Sequence, residues 1–202
     1  MPLQNRVDPF GNLLRTPARG TFMGSRGGVI HNTNQEIVRP YKSRRWISCL
    51  LEFKGWHRIV MSRRRYTELF FLDEPTALAA GHRPCAECRR VSFNAFRESW
   101  RQAKGLDRLP FAGEMDLELH AQRISGHKKL TYQAAMHSLP DACFVQIDGQ
   151  AHLVLGDSLL LWTPEGYTKR EPRPKHSIAT VLTPQPIVEC MLHGYKPTDT
   201  TI

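Results

Sequence analysis

Cys85-Ala86-Glu87-Cys88 has the two-residue gap that lets two thiolates turn toward one metal ion. Zinc is the natural occupant, because it takes four sulfur or nitrogen donors in a tetrahedron at about 2.0–2.3 Å. A Cys-x-x-Cys pair can also be a redox couple. The context argues against that use, since Pro84 precedes the pair, no strand is expected to lead directly into it, and a long helical pattern starts inside it. Cys49, 36 residues upstream, is the only other cysteine in the first half and is the third expected ligand. A fourth donor must come from elsewhere, and His31, His57 and His82 are the candidates. Cys143 and Cys190 sit in apolar surroundings and read as buried, packed thiols. Five cysteines, with nothing that reads as a secretory leader, argue against a disulfide framework.

A second group of residues could act on a polyanion. Residues 1–110 hold 20 Lys and Arg against 9 Asp and Glu, whereas the remainder is slightly acidic. This asymmetry predicts a nucleic-acid-facing surface on the first half. Arg63, Arg64, Arg65, Arg83, Arg89 and Arg90 are the expected backbone contacts; the bland alternative is a solvated face with ordinary ion pairs.

Catalytic candidates are sparser. On a helix Asp116 and His120 share a face at i,i+4, a possible general-base pair or hydrolytic metal site. An amphipathic helix with a solvated acidic face explains the same residues. There is no His-Glu-x-x-His, no phosphate-binding Walker loop and no Gly-x-Ser-x-Gly.

These residues need elements to hold them. Residues 1–27 are rich in Gly, Pro and Arg and read as an extended arm. Trp46–Phe53 and His57–Met61 read as a hairpin turning at Lys54-Gly55, followed by a third strand at Tyr66–Leu72. Asp73 reads as the cap of a short helix, with Glu74 and Pro75 in its first turn and Gly81 just past its end. A long helix is expected from Glu87 to Lys104, with Val91, Phe93, Ala95, Phe96, Trp100 and Ala103 as its apolar stripe. Another is expected over Glu114–Ile124, with a further helical turn or two in Thr131–His137. Cys143–Ile147, Ala151–Leu155, Ser158–Trp162 and Ile178–Leu182 read as an antiparallel β unit, closed by a helix at Gln185–Leu192. The expected class is α+β, divided as arm (1–27), zinc-binding module (28–110), and helix plus β unit (111–202), with packing of the last two as one domain left open.

The stretch Ala79-Ala80-Gly81-His82-Arg83-Pro84-Cys85-Ala86-Glu87-Cys88, with the strand and short helix before it, resembles the metal-binding domain of the Ada DNA-repair methyltransferase and related bacterial Ada-like modules. The likeness is strong over about twenty residues and loose over 28–104; residues 106–202 fall outside it. It implies a zinc site in which Cys85 and Cys88 form the second ligand pair and Cys49 is the retained upstream cysteine. His31 would match the histidine variant of the first ligand, although 17 residues separate it from Cys49. In the Ada protein that first ligand is a methyl-accepting cysteine, a role no histidine can fill. The resemblance therefore implies a structural zinc on a DNA-facing module, in repair, regulation or defence. Self-alkylation at Cys49 or Cys85 is the weaker implication.

No apolar run reaches the roughly 20 residues of a membrane span, and nothing at the N-terminus reads as a leader. The expected setting is the cytoplasm, with zinc as cofactor and nucleic acid as partner. The alternative expectation is a hydrolytic enzyme with zinc as scaffold and the Asp116/His120 region as its site.

Overall fold

The computed structural model describes residues 1–56 and 59–198. The fold is α+β. A first sheet gathers β1 (Gln4–Val7), β2 (Leu13–Arg15), β3 (Phe22–Arg26), β4 (Trp46–Leu50), β5 (Leu69–Phe71) and β6 (Arg83–Pro84) in the order β2-β1-β5-β3-β4-β6. Two of its pairings, β1 with β5 and β4 with β6, are parallel. A short ribbon, β7 (Ile124–Ser125) and β8 (Lys128–Lys129), stands apart. The second sheet, wholly antiparallel, contains β9 (Tyr132–Ala135), β10 (Phe144–Ile147), β11 (Gln150–Leu155), β12 (Ser158–Thr163), β13 (Gly166–Pro172) and β14 (Ile178–Val181). The helices are α1 (Glu74–Ala79), α2 (Arg90–Ala103), α3 (Ala112–Arg123) and α4 (Gln185–Leu192).

Residues 1–27 are not a loose arm: they supply β1, β2 and β3. Val7 and Phe22 anchor them in a core with Ile30, Leu69, Phe71, Ala77 and Ala80. The glycine density here marks close packing. A Cβ on Gly24 would stand 2.3 Å from the Ile47 carbonyl and 2.8 Å from the Phe71 ring, so only glycine lets β3 lie this near β4.

The expected 46–61 hairpin is also corrected. β4 pairs antiparallel with β3, running from Phe22 opposite Leu50 to Arg26 opposite Trp46. Residues 59–61 carry no strand, and His57 lies outside the described residues. The turn signal at Lys54-Gly55 misled, because β4 takes its partner from β3 in the upstream segment.

Helix α1 is buried along its whole length. Its cap Asp73 accepts the Thr76 amide at 2.9 Å and also the Tyr167 hydroxyl at 2.7 Å. Trp162 donates its indole N–H to Thr76 Oγ1 at 3.1 Å. Glu74, in the first turn, accepts the Tyr195 hydroxyl and the Thr198 amide. The second sheet and the C-terminal segment thus close on α1 through polar contacts. Around them, Leu78, Phe93, Phe96, Trp100, Met115, Leu119 and Ile187 join all four helices in one apolar cluster. Truncating a fully buried ring such as Phe96 to alanine costs about 3–5 kcal/mol. Val91, expected in that stripe, is exposed.

Thr131–His137 forms β9 and a single 3-10 turn, not further α-helix, because it completes the second sheet beside β14. β13 is an addition the sequence did not suggest. Its Thr168, Lys169 and Arg170 face water, so it lacks the apolar signature of a strand.

Candidate metal centre

The register of β4 with β6 brings the thiols together. Ile47 lies opposite Arg83 and Ser48 opposite Pro84. The Cys85 amide extends that ladder by donating to the Ser48 carbonyl at 2.9 Å, so Cys49 and Cys85 become neighbours at the strand ends. The chain then turns through Ala86 and Glu87 and enters α2. Arg89 N–H bonds the Cys85 carbonyl at 3.2 Å, which tightens the turn and folds Cys88 back. The Sγ atoms of Cys49, Cys85 and Cys88 all lie within 4.8 Å of one another. Small inward adjustments bring three thiolates to the 2.3 Å distance that zinc requires.

The three thiols perturb one another's ionisation. Cys49 and Cys88 donate toward Cys85, the Glu87 amide adds a bond at 3.4 Å, and the Cys85 pKa falls far below the usual thiol range. Hydrogen bonding to Cys85 and Cys88, with burial, pushes Cys49 the opposite way. A divalent cation resolves this conflict, because it lets three thiolates coexist.

Among the described residues no histidine or carboxylate joins the three thiols. His31 is elsewhere: it is buried, with its Nδ1 2.6 Å from the Thr67 hydroxyl. His82 is buried between Trp46 and Phe71, with ring centroids at 5.0 and 4.7 Å. Burial and the nearby Arg26 and Arg123 hold its pKa well below the usual value, so it is neutral. The thiols border a cleft of about 550 Å³ whose walls include Met23, Ile47, Phe53, Trp56 and Tyr66, with Arg45 among its polar groups.

The six expected arginines divide. Arg63, Arg64, Arg65 and Arg90 are exposed. Arg83 and Arg89 are buried and spent internally, so they are not offered to a phosphate backbone. Arg83 forks onto Asp116 at 2.9 and 2.8 Å, and Arg89 meets Glu74 at 2.6 Å. Arg39, Lys42, Arg44 and Arg45 add an exposed basic loop before β4.

Asp116 and His120 do not form a general-base pair. Asp116 is buried under the Arg83 fork. His120 packs edge-on to Tyr41 at 4.8 Å, and its Nδ1 lies 3.2 Å from the Arg123 guanidinium. Burial, Arg123 and Arg44 lower its pKa. Among the described residues, no helix is long and apolar enough to cross a membrane. Compared with models of known families, with curated proteins and with solved structures, the chain matches none of them.

Proposed function

We propose that Cys49, Cys85 and Cys88 hold one zinc ion, and that the protein binds nucleic acid beside it. The observation that carries the metal is the convergence of three thiols from β4 and the β6–α2 turn. Zinc here acts as a strut. It ties the end of β4 to the start of α2, and so fixes the first sheet against the helical cluster. The Ada-like likeness is part of this reading, with Cys85 and Cys88 as its second ligand pair and Cys49 as its upstream cysteine. His31 is left out of it, because its ring does not join the three thiols.

The nucleic-acid half of the reading rests on charge in the right places. Arg63, Arg64 and Arg65 form an exposed run, Arg90 opens α2 next to Cys88, and Arg45 lines the thiol-bordered cleft. Such a surface binds backbone without reading sequence, and its affinity falls steeply with salt. The test is an electrophoretic shift with a short duplex and a single strand at several salt concentrations. Arg63/Arg64/Arg65→Ala should weaken binding and flatten the salt slope; an unchanged slope removes this surface from the reading. The hydrolytic alternative is disfavoured by one contact, the commitment of Asp116 to Arg83.

A further inference from the structure

The opposite face of β4 carries a second, unrelated constellation. Side chains alternate along a strand, so Trp46 points away from the face that bears Ile47 and Cys49. On its side lies a cleft of about 520 Å³ bordered by Arg26, Arg123, Lys129, Trp46, Phe10 and Asn12. Arg26 and Arg123 are 3% and 2% exposed, and each guanidinium carbon sits 4.2 Å from the Trp46 ring centre. Lys129 is half-buried, and its ammonium donates to the Ala79 carbonyl at 2.5 Å.

What these cations lack is countercharge. Arg26 donates to the carbonyls of Gly11 and Pro40, and Arg123 to those of Gly81 and Arg44. The Arg123 Nε meets no acceptor at all. Carbonyls satisfy N–H groups but bring no charge, and a buried cation without an anion is costly. The carboxylate near them is Asp8, itself buried and taken up by Asn12 at 2.8 and 2.9 Å. Asp116, the next acid, is engaged by Arg83. His82 is neutral, and His127 and Lys128 stand exposed at the rim. Burial pushes the Lys129 pKa down to about 7, as expected of an ammonium held among arginines. Arginine cannot relieve the strain that way, since it stays protonated.

We infer that this cleft binds a small phosphomonoester of about mononucleotide size. Arg26, Arg123 and a Lys129 that is about half protonated near pH 7, set against Asp8, leave between one and two positive charges, which a phosphomonoester dianion neutralises and a single carboxylate does not. Guanidiniums match phosphate oxygens in pairs. The volume is within the usual range for small-molecule sites, roughly 300–1,000 Å³. Phe10, Ile37 and Trp46 supply an apolar wall for the organic remainder. None of this depends on the metal.

The experiment is calorimetric titration of the full chain with inorganic phosphate, adenosine monophosphate and citrate, in a phosphate-free buffer of fixed ionic strength. Adenosine monophosphate should bind with a Kd of about 1 mM or tighter, and more tightly than phosphate or citrate. Lys129→Gln, which removes a cation holding a single carbonyl bond, should weaken it tenfold or more with the circular dichroism unchanged. Lys175→Gln, on the surface beside Asp157, is the control for net charge and should bind as wild type. Three results overturn the inference: no saturable binding by the wild-type chain, citrate binding as tightly as the phosphomonoester, or equal losses in the two lysine variants. If Lys129→Gln fails to fold, the wild-type ligand comparison still decides.

Discussion

Asp116→Asn is the substitution on which the catalytic and structural accounts of the α3 face differ most. The Arg83–Asp116 side chains are 2% and 7% exposed, and both guanidinium-to-carboxylate bonds are short and parallel. Arg83 is otherwise held by the Pro84 carbonyl at 3.0 Å and lies over the Phe93 ring at 5.3 Å. Asparagine keeps the shape but removes the charge, and it can accept only one of the two N–H bonds. An arginine left buried without its partner costs about 3–5 kcal/mol. For a chain of this length each kcal/mol moves the melting temperature by about 2–4 °C, which gives a drop of roughly 6–20 °C. Scanning calorimetry measures it. The double replacement Arg83→Met/Asp116→Leu should recover much of the loss, because a packed apolar pair avoids the desolvation cost. A loss below about 1 kcal/mol for Asp116→Asn would refute the claim that this pair staples β6 to α3. It would also free Asp116 for the hydrolytic role.

Cys88→Ser should abolish stoichiometric zinc and lower the melting temperature, and a strong chelator should reproduce the shift in the wild-type chain; metal analysis and calorimetry check both. Asp73→Ala should cost about 2–4 kcal/mol in chemical denaturation, since it removes a helix cap and the carboxylate partner of the half-buried Tyr167 hydroxyl; Tyr167→Phe should cost only about 1–2. Lys129 has a folded pKa of about 7 against an ordinary 10.5, so within that window the unfolded chain holds the proton and the folded chain does not. Its contribution makes stability rise with pH from about 7 to 10.5, by at most about 1.4 kcal/mol per pH unit. Lys129→Met should remove that part of the slope in denaturation series at stepped pH, while an unchanged slope would place the ammonium in solvent.

The cysteine cluster was legible because two of its members lie in one local motif. Cys49 was legible by elimination, although the reason it reaches them was not: the β4–β6 register is a long-range pairing that no local pattern encodes. The fold class, α1 with its Asp73 cap, α4 and most of the second sheet followed from apolar spacing and turn residues. β1 to β3 did not, because only Val7 and Phe22 mark their buried side and their glycines serve close packing. Arg83 and Arg89 read as surface charge since sequence does not reveal that Asp116 and Glu74 wait for them in the core. The Arg26, Arg123 and Lys129 cleft left no signal at all, because Arg26 comes from β3 and the other two from the distant α3–β8 segment.

The account turns on the metal. X-ray absorption at the zinc edge, on protein purified without added metal, tests it most directly, with the zinc-to-chain ratio measured on the same sample. The expected result is about one zinc per chain with three sulfurs near 2.3 Å and one lighter donor. Absence of zinc from the folded wild-type chain, or a shell of only nitrogen and oxygen, would contradict it.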